Sequence, residues 1–79
     1  MSGATASQAL HERFDAIRRA ELDRLKKKLA GLTEEERRSV HEITADVVQA
    51  LARGPQRALA GDAPSETVNT VVRLFALDA

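Results

Sequence analysis

Between Leu10 and Ala30 the chain has no proline and no glycine, and its large apolar residues recur at helical spacing. Turned by about 100° per residue, Leu10, Phe14, Ile17, Leu22, Leu25 and Leu29 share an arc of roughly 140°, which predicts an amphipathic helix. At ~1.5 Å per residue that helix is about 30 Å long. Whatever this chain folds into must cover such a stripe. Asp15/Arg19 and Asp23/Lys27 lie on the other face, acid before base at i,i+4, the favourable order. The step from Ile17 to Leu22 shifts the stripe sideways and leaves Arg18 and Glu21 inside the arc. Two readings stay open there. The two halves of the helix face different partners, or both side chains snorkel at the edge of one seam.

Lys26, Lys27 and Lys28 suit the negative end of a helix dipole, and Gly31 follows as a stop. Thr33 with Glu36 three residues on is a capping box, and Glu34, Glu35 and Glu36 suit a helix start. The second helix is predicted to run to about Arg53, with a stripe of Val40, Ile43, Val47 and Leu51 flanked by Thr44 and Val48. Gly54-Pro55 is predicted to end it, with a short turn over Gln56–Ala60 that buries Leu59. Gly61-Asp62-Ala63 reads as a loop, and Pro64 as the first position of a third helix. That helix carries Val68, Val71, Val72 and Phe75 on one face, with Leu74 and Leu77 alongside. Residues 1–9 read as a flexible lead-in or an appended junction, since Met1–Ser7 lacks the apolar core of a secretory signal. Residues 10–79 read as one domain. The predicted fold is all-α: a helical bundle of three main helices plus a short turn, completed by dimerisation.

The case for a partner is physical. With 79 residues there is room for one small domain, and such domains usually need a staple. Disulfides and thiolate metal sites are excluded by the absence of cysteine, and His11 and His41 alone are too few for a closed metal site. Association is what is left. The third helix is about two-thirds the length of the first, so a monomeric bundle leaves apolar stripe uncovered, and such surface is normally an interface. A two-fold pair covers it most simply. The competing reading is a monomeric three-helix bundle whose first helix frays. Lys+Arg and Asp+Glu are 12 each, which removes the basic excess of a nucleic-acid binder and eases self-association.

Catalytic signatures are missing. His41-Glu42-Ile43-Thr44-Ala45 begins like the zinc motif His-Glu-x-x-His, but Ala45 stands where the second ligand belongs. The glycines are isolated, so there is no phosphate loop. The cations Arg18, Arg19, Arg24 and Lys26–Lys28 are interleaved with Glu21 and Asp23 and have no aromatic among them for base stacking, which favours a solvated face.

The order of these segments resembles one family. Ile17-Arg18-Arg19-Ala20-Glu21-Leu22-Asp23-Arg24 resembles the end of the long spinal helix of glutamyl-tRNA reductase. Glu42–Leu51 looks like its "LTxxxxxKLLH" segment, and Val71-Val72-Arg73-Leu74-Phe75-Ala76-Leu77-Asp78 is similar to its "LRxLFGLD" ending. Ala52-Arg53-Gly54 departs from the family, which tends to carry a His before the proline. The resemblance covers about Leu10 to the C-terminus. It implies the C-terminal dimerisation domain of an enzyme that uses NADPH to reduce glutamyl-tRNA to glutamate-1-semialdehyde, the entry to tetrapyrroles. That family's nucleophilic cysteine and NADPH-binding Rossmann domain lie outside the part that resembles this chain.

The expectation is therefore a cytoplasmic homodimerisation module with no catalytic, cofactor or metal residues of its own, and no membrane or nucleic-acid contact. Its interface and core are the faces named above, from Leu10, Phe14 and Ile17 through Val47 and Leu51 to Val72 and Phe75. A free-standing adaptor that receives another protein's helix in a groove is the rival.

Overall fold

The computed structural model describes residues 1–78. It contains four helices, α1 (Gly3–Arg24), α2 (Lys26–Leu29), α3 (Glu34–Leu59) and α4 (Ser65–Leu74), and no strand among those residues. The fold is all-α, as expected.

α1 begins well ahead of the expected Leu10 and takes in most of the segment read as a lead-in. Two features account for this. Ser2 caps the helix, its hydroxyl accepting the Thr5 N–H at 3.1 Å, and the first turn finds a surface to dock on. Gly3 lies so close to the end of α3 that a Cβ there would run into the Leu59 carbonyl oxygen. Ala6, one turn on, is fully buried. Small residues gave no apolar signal, yet their smallness permits the close approach.

At its other end α1 stops at Arg24. Leu25 departs from helical geometry, and Lys26–Leu29 forms a separate turn of helix. The break changes the phase between Asp23 and Lys27, and the pair expected from their spacing is not formed. Arg24 instead turns back to Glu21 at 2.7 Å. The Asp15/Arg19 pair does form, at 2.9 Å.

α3 starts with the expected capping box: Thr33 Oγ1 accepts the Glu36 N–H at 3.1 Å, and the Glu36 carboxylate accepts the Thr33 N–H at 2.9 Å. Its far end corrects the sequence reading. The helix passes through Gly54-Pro55 and ends at Leu59. A residue before proline avoids the helical region because its Cβ meets the proline ring, and Gly54 has no Cβ. The i−4 carbonyl that Pro55 cannot serve belongs to Leu51, a residue on the exposed side of the helix. Continuing the helix brings Leu59 into the core, where it is 2% exposed.

α1 and α3 form an antiparallel hairpin, with Gly3 beside Leu59 at the open end and Arg18 reaching His41 and Thr44 midway. α4 folds back across the open end. Pro64 caps it rather than opening it. Ala6, Leu59, Val68, Val71 and Val72 make the core there, with Ala63, Phe75 and Leu77 packed against it. Phe14 and Phe75 meet edge to face, centroids 5.5 Å apart. After Phe75 the chain leaves the helix through Ala76 at φ 52°. The Leu77 N–H returns to the Val72 carbonyl at 2.9 Å and the Ala76 N–H to Arg73 at 3.4 Å, the Schellman arrangement.

The molecule is long and thin, 47 × 22 × 14 Å, with a radius of gyration of 15.2 Å. A compact domain of this length would have about 11.6 Å. Its thinnest dimension is little more than the ~10–12 Å of one helix with side chains. No described helix is long and apolar enough to cross a membrane.

Candidate self-association surface

α4 is 10 residues long and α1 is 22, so α4 covers only the open half of the hairpin. Where α4 ends, beside Phe14, a groove begins and follows the α1–α3 seam towards the turn. α1 lines it with Phe14, Ile17 and Leu22, the break after α1 with Leu25, and α3 with Val47, Val48 and Leu51. Ile17, Val47 and Leu51 are at least half exposed, at 50%, 52% and 65%, and Ile43 continues their row along α3 at 61%.

The residues singled out in the sequence thus divide by exposure. Leu10, Val68, Val71 and Val72 are buried within the chain, and Phe75 is half-buried against them. Ile17, Ile43, Val47 and Leu51 face solvent, and Phe14, Leu22, Leu25, Leu29 and Val40 lie half-covered between the two groups. The hairpin accounts for the split. Residues of α3 at 44, 45, 48 and 52 turn toward α1, and the row 43, 47, 51 turns away. A single stripe read from the sequence is two adjacent rows. Ala6 and Ala52 are buried core residues that the sequence reading did not single out, because alanine carries little apolar signal.

Arg18 and Glu21, which fell inside the apolar arc, both line the groove. Glu21 is exposed and tied to Arg24. Arg18 is different: its side chain is only 14% exposed. Its guanidinium grips Asp15 at 2.9 and 3.0 Å and extends toward Thr44 Oγ1 and the His41 carbonyl, each at 3.5 Å. The Arg18 hydrogen bond is the main reason the Asp15 carboxyl lies below its ordinary value of 3.8, helped by the charges of Arg19, Arg18 and His11 against partial desolvation.

Other candidates for chemistry are dispersed. His41 and His11 are exposed on different helices, and no cluster of three metal-ligating side chains occurs among the described residues. Gly3 and Gly54 lie within helices, and Gly31 and Gly61 at separate turns, so the glycines form no cradle for a dinucleotide phosphate. Arg19, Lys26 and Arg37 share a shallow cleft near α2 with Asp23 and apolar walls.

A thin helical hairpin with one end sealed and an apolar seam open along the rest defines a helical association module. Comparison with known families makes the assignment particular: residues 4–77 match the glutamyl-tRNAGlu reductase dimerisation domain, and the chain belongs to that family. The match supports the self-association reading and lends nothing to the adaptor. Comparison with curated proteins finds no match. None is found among the solved structures.

Proposed function

We propose that this chain pairs with a second copy of itself through the α1–α3 groove and so joins two arms of a glutamyl-tRNA reductase. The observation that carries the reading is an excess of surface. The chain exposes 5828 Å², whereas a folded monomer of its mass exposes roughly 4,700 Å². The surplus of about 1,100 Å² exceeds the ~800 Å² per partner of a stable interface. Ile43, Val47 and Leu51, at 61%, 52% and 65% exposed, are part of the surface such a contact would cover. A two-fold pair sets the Ile43–Val47–Leu51 row of each chain against the groove of the other, because an isologous contact must use one patch twice.

In this reading the parent enzyme uses NADPH to reduce glutamyl-tRNA to glutamate-1-semialdehyde for tetrapyrrole formation in the cytoplasm. The chemistry and the cofactor belong to other domains of that enzyme. This module supplies pairing and spacing.

Size-exclusion chromatography with light scattering over a range of concentrations tests it. The expected mass is twice the 8.6 kDa of one chain. A folded species of one chain mass at every concentration overturns it.

A further inference from the structure

Of the two charged residues that line the groove, Arg18 and Glu21, Arg18 is the strongly shielded one, and apart from these and Thr44 the lining is apolar. It occupies a seam position, one turn from Phe14 and one from Leu22, where the spacing calls for an apolar residue. Opposite it on α3 stands Thr44, the other polar group of that layer. The Thr44 hydroxyl donates within its own helix, to the Val40 carbonyl at 2.9 Å, so toward Arg18 it accepts. The layer is thus a fixed polar contact set in an apolar seam. Glu21, the other charge lining the groove, is paired with Arg24 and is 56% exposed in the single chain.

We propose, resting on the dimer reading above, that the charge of Arg18 determines the specificity of pairing rather than its strength. A second copy laid over the groove removes the last water from the guanidinium. Only a partner register that leaves Arg18 with Asp15 and Thr44, and sets no bare apolar side chain on its remaining N–H groups, avoids a buried unsatisfied charge. A helix slid by a turn, or a third chain added to the bundle, meets that cost. A single polar side chain at a core position limits register and chain number in helical bundles in the same way, at some expense of affinity. An all-apolar groove would accept many registers nearly equally.

The test uses the whole chain. Wild type, the double variant Asp15→Asn with Arg18→Met, and Arg18→Lys are compared by sedimentation velocity, amide NMR and circular dichroism. The double variant removes both charges together, so no unpaired carboxylate is left behind. Wild type is expected to give a single two-chain species with one set of resonances. The double variant is expected to stay helical and associate at least as tightly, but as a mixture, with masses beyond two chains or with several sets of resonances. Arg18→Lys, which keeps the charge, is expected to return to the single species. The proposal is overturned if the double variant remains one symmetric dimer, if it dissociates about tenfold more readily, a loss of ~1.4 kcal/mol, or if it unfolds, since Arg18 then serves affinity or stability. A mixture from Arg18→Lys also overturns it. A monomeric wild type is the separate outcome that removes the dimer reading and this proposal together.

Discussion

Ala76 holds a left-handed φ of 52° at the exit from α4. An L-residue with a Cβ is strained there by roughly 1 kcal/mol, and glycine is not. Ala76→Gly is therefore expected to stabilise the fold by about 0.5–1 kcal/mol, raising the melting temperature by several degrees. A lowered melting temperature would mean the left-handed exit is not adopted. At the other end of the scale of charge, Glu36 is held below its ordinary 4.5 by the Thr33 backbone and side-chain hydrogen bonds, and Asp15 below its ordinary 3.8, chiefly by Arg18. A carboxyl with a lowered folded pKa stabilises above its ordinary value and loses that contribution as pH falls through the lowered one. Stability is therefore expected to hold from neutral pH to about 4 and to decline below it. Denaturant melts followed by circular dichroism would show it, and Glu36→Gln should flatten part of the decline. An identical decline in that variant would remove the capping box as a cause.

At the scale of elements, α3 is the informative case. Proline inside a helix costs about 3 kcal/mol in an exposed host, and a glycine before it removes the Cβ clash that would make it worse. Pro55→Ala is expected to stabilise α3, since it restores the hydrogen bond to Leu51. Gly54→Ala alone should gain little or lose, because its new Cβ meets the proline ring. With Pro55→Ala already made, the same change should gain close to the ~1 kcal/mol usual for glycine to alanine in a helix. That non-additivity is measurable in a double-mutant cycle of urea midpoints, and simple additivity would argue against an uninterrupted helix through Pro55. The sequence reading stopped the helix at Gly54-Pro55 because that pair is ordinarily a terminator. What overrode the local signal was the burial of Leu59, a contact with a residue more than fifty positions away in α1. The lead-in failed for a related reason. Ser2, Gly3 and Ala6 have no apolar periodicity; Ser2 caps the turn, and the fit of Gly3 and Ala6 against Leu59 makes it structural.

For the whole molecule, the division into a sealed end and an open seam separates two substitutions that look alike in sequence. Val47→Glu places a carboxylate on a side chain already 52% exposed, so the chain should remain helical while pairing weakens by at least tenfold, about 1.4 kcal/mol. Phe75→Glu removes the aromatic contact with Phe14 and puts a charge against the core, so it should unfold the chain itself. Circular dichroism beside light scattering distinguishes the two outcomes. A Val47→Glu chain that pairs like wild type would move the interface away from the groove.

The sequence alone determined that the chain is helical, where α3 begins and which residues are apolar, because capping and helical periodicity are local properties read within a few residues. It also carried the family resemblance in the order of its segments. Only the tertiary structure decided where the ends of α1 and α3 fall, how one apolar stripe divides into a buried row and an open one, and that Arg18 spans the seam. Those depend on which residue of α1 stands opposite which residue of α3, and that pairing across more than twenty positions is set by the packing of Gly3, Ala6 and Leu59 and by the limited reach of a 10-residue α4.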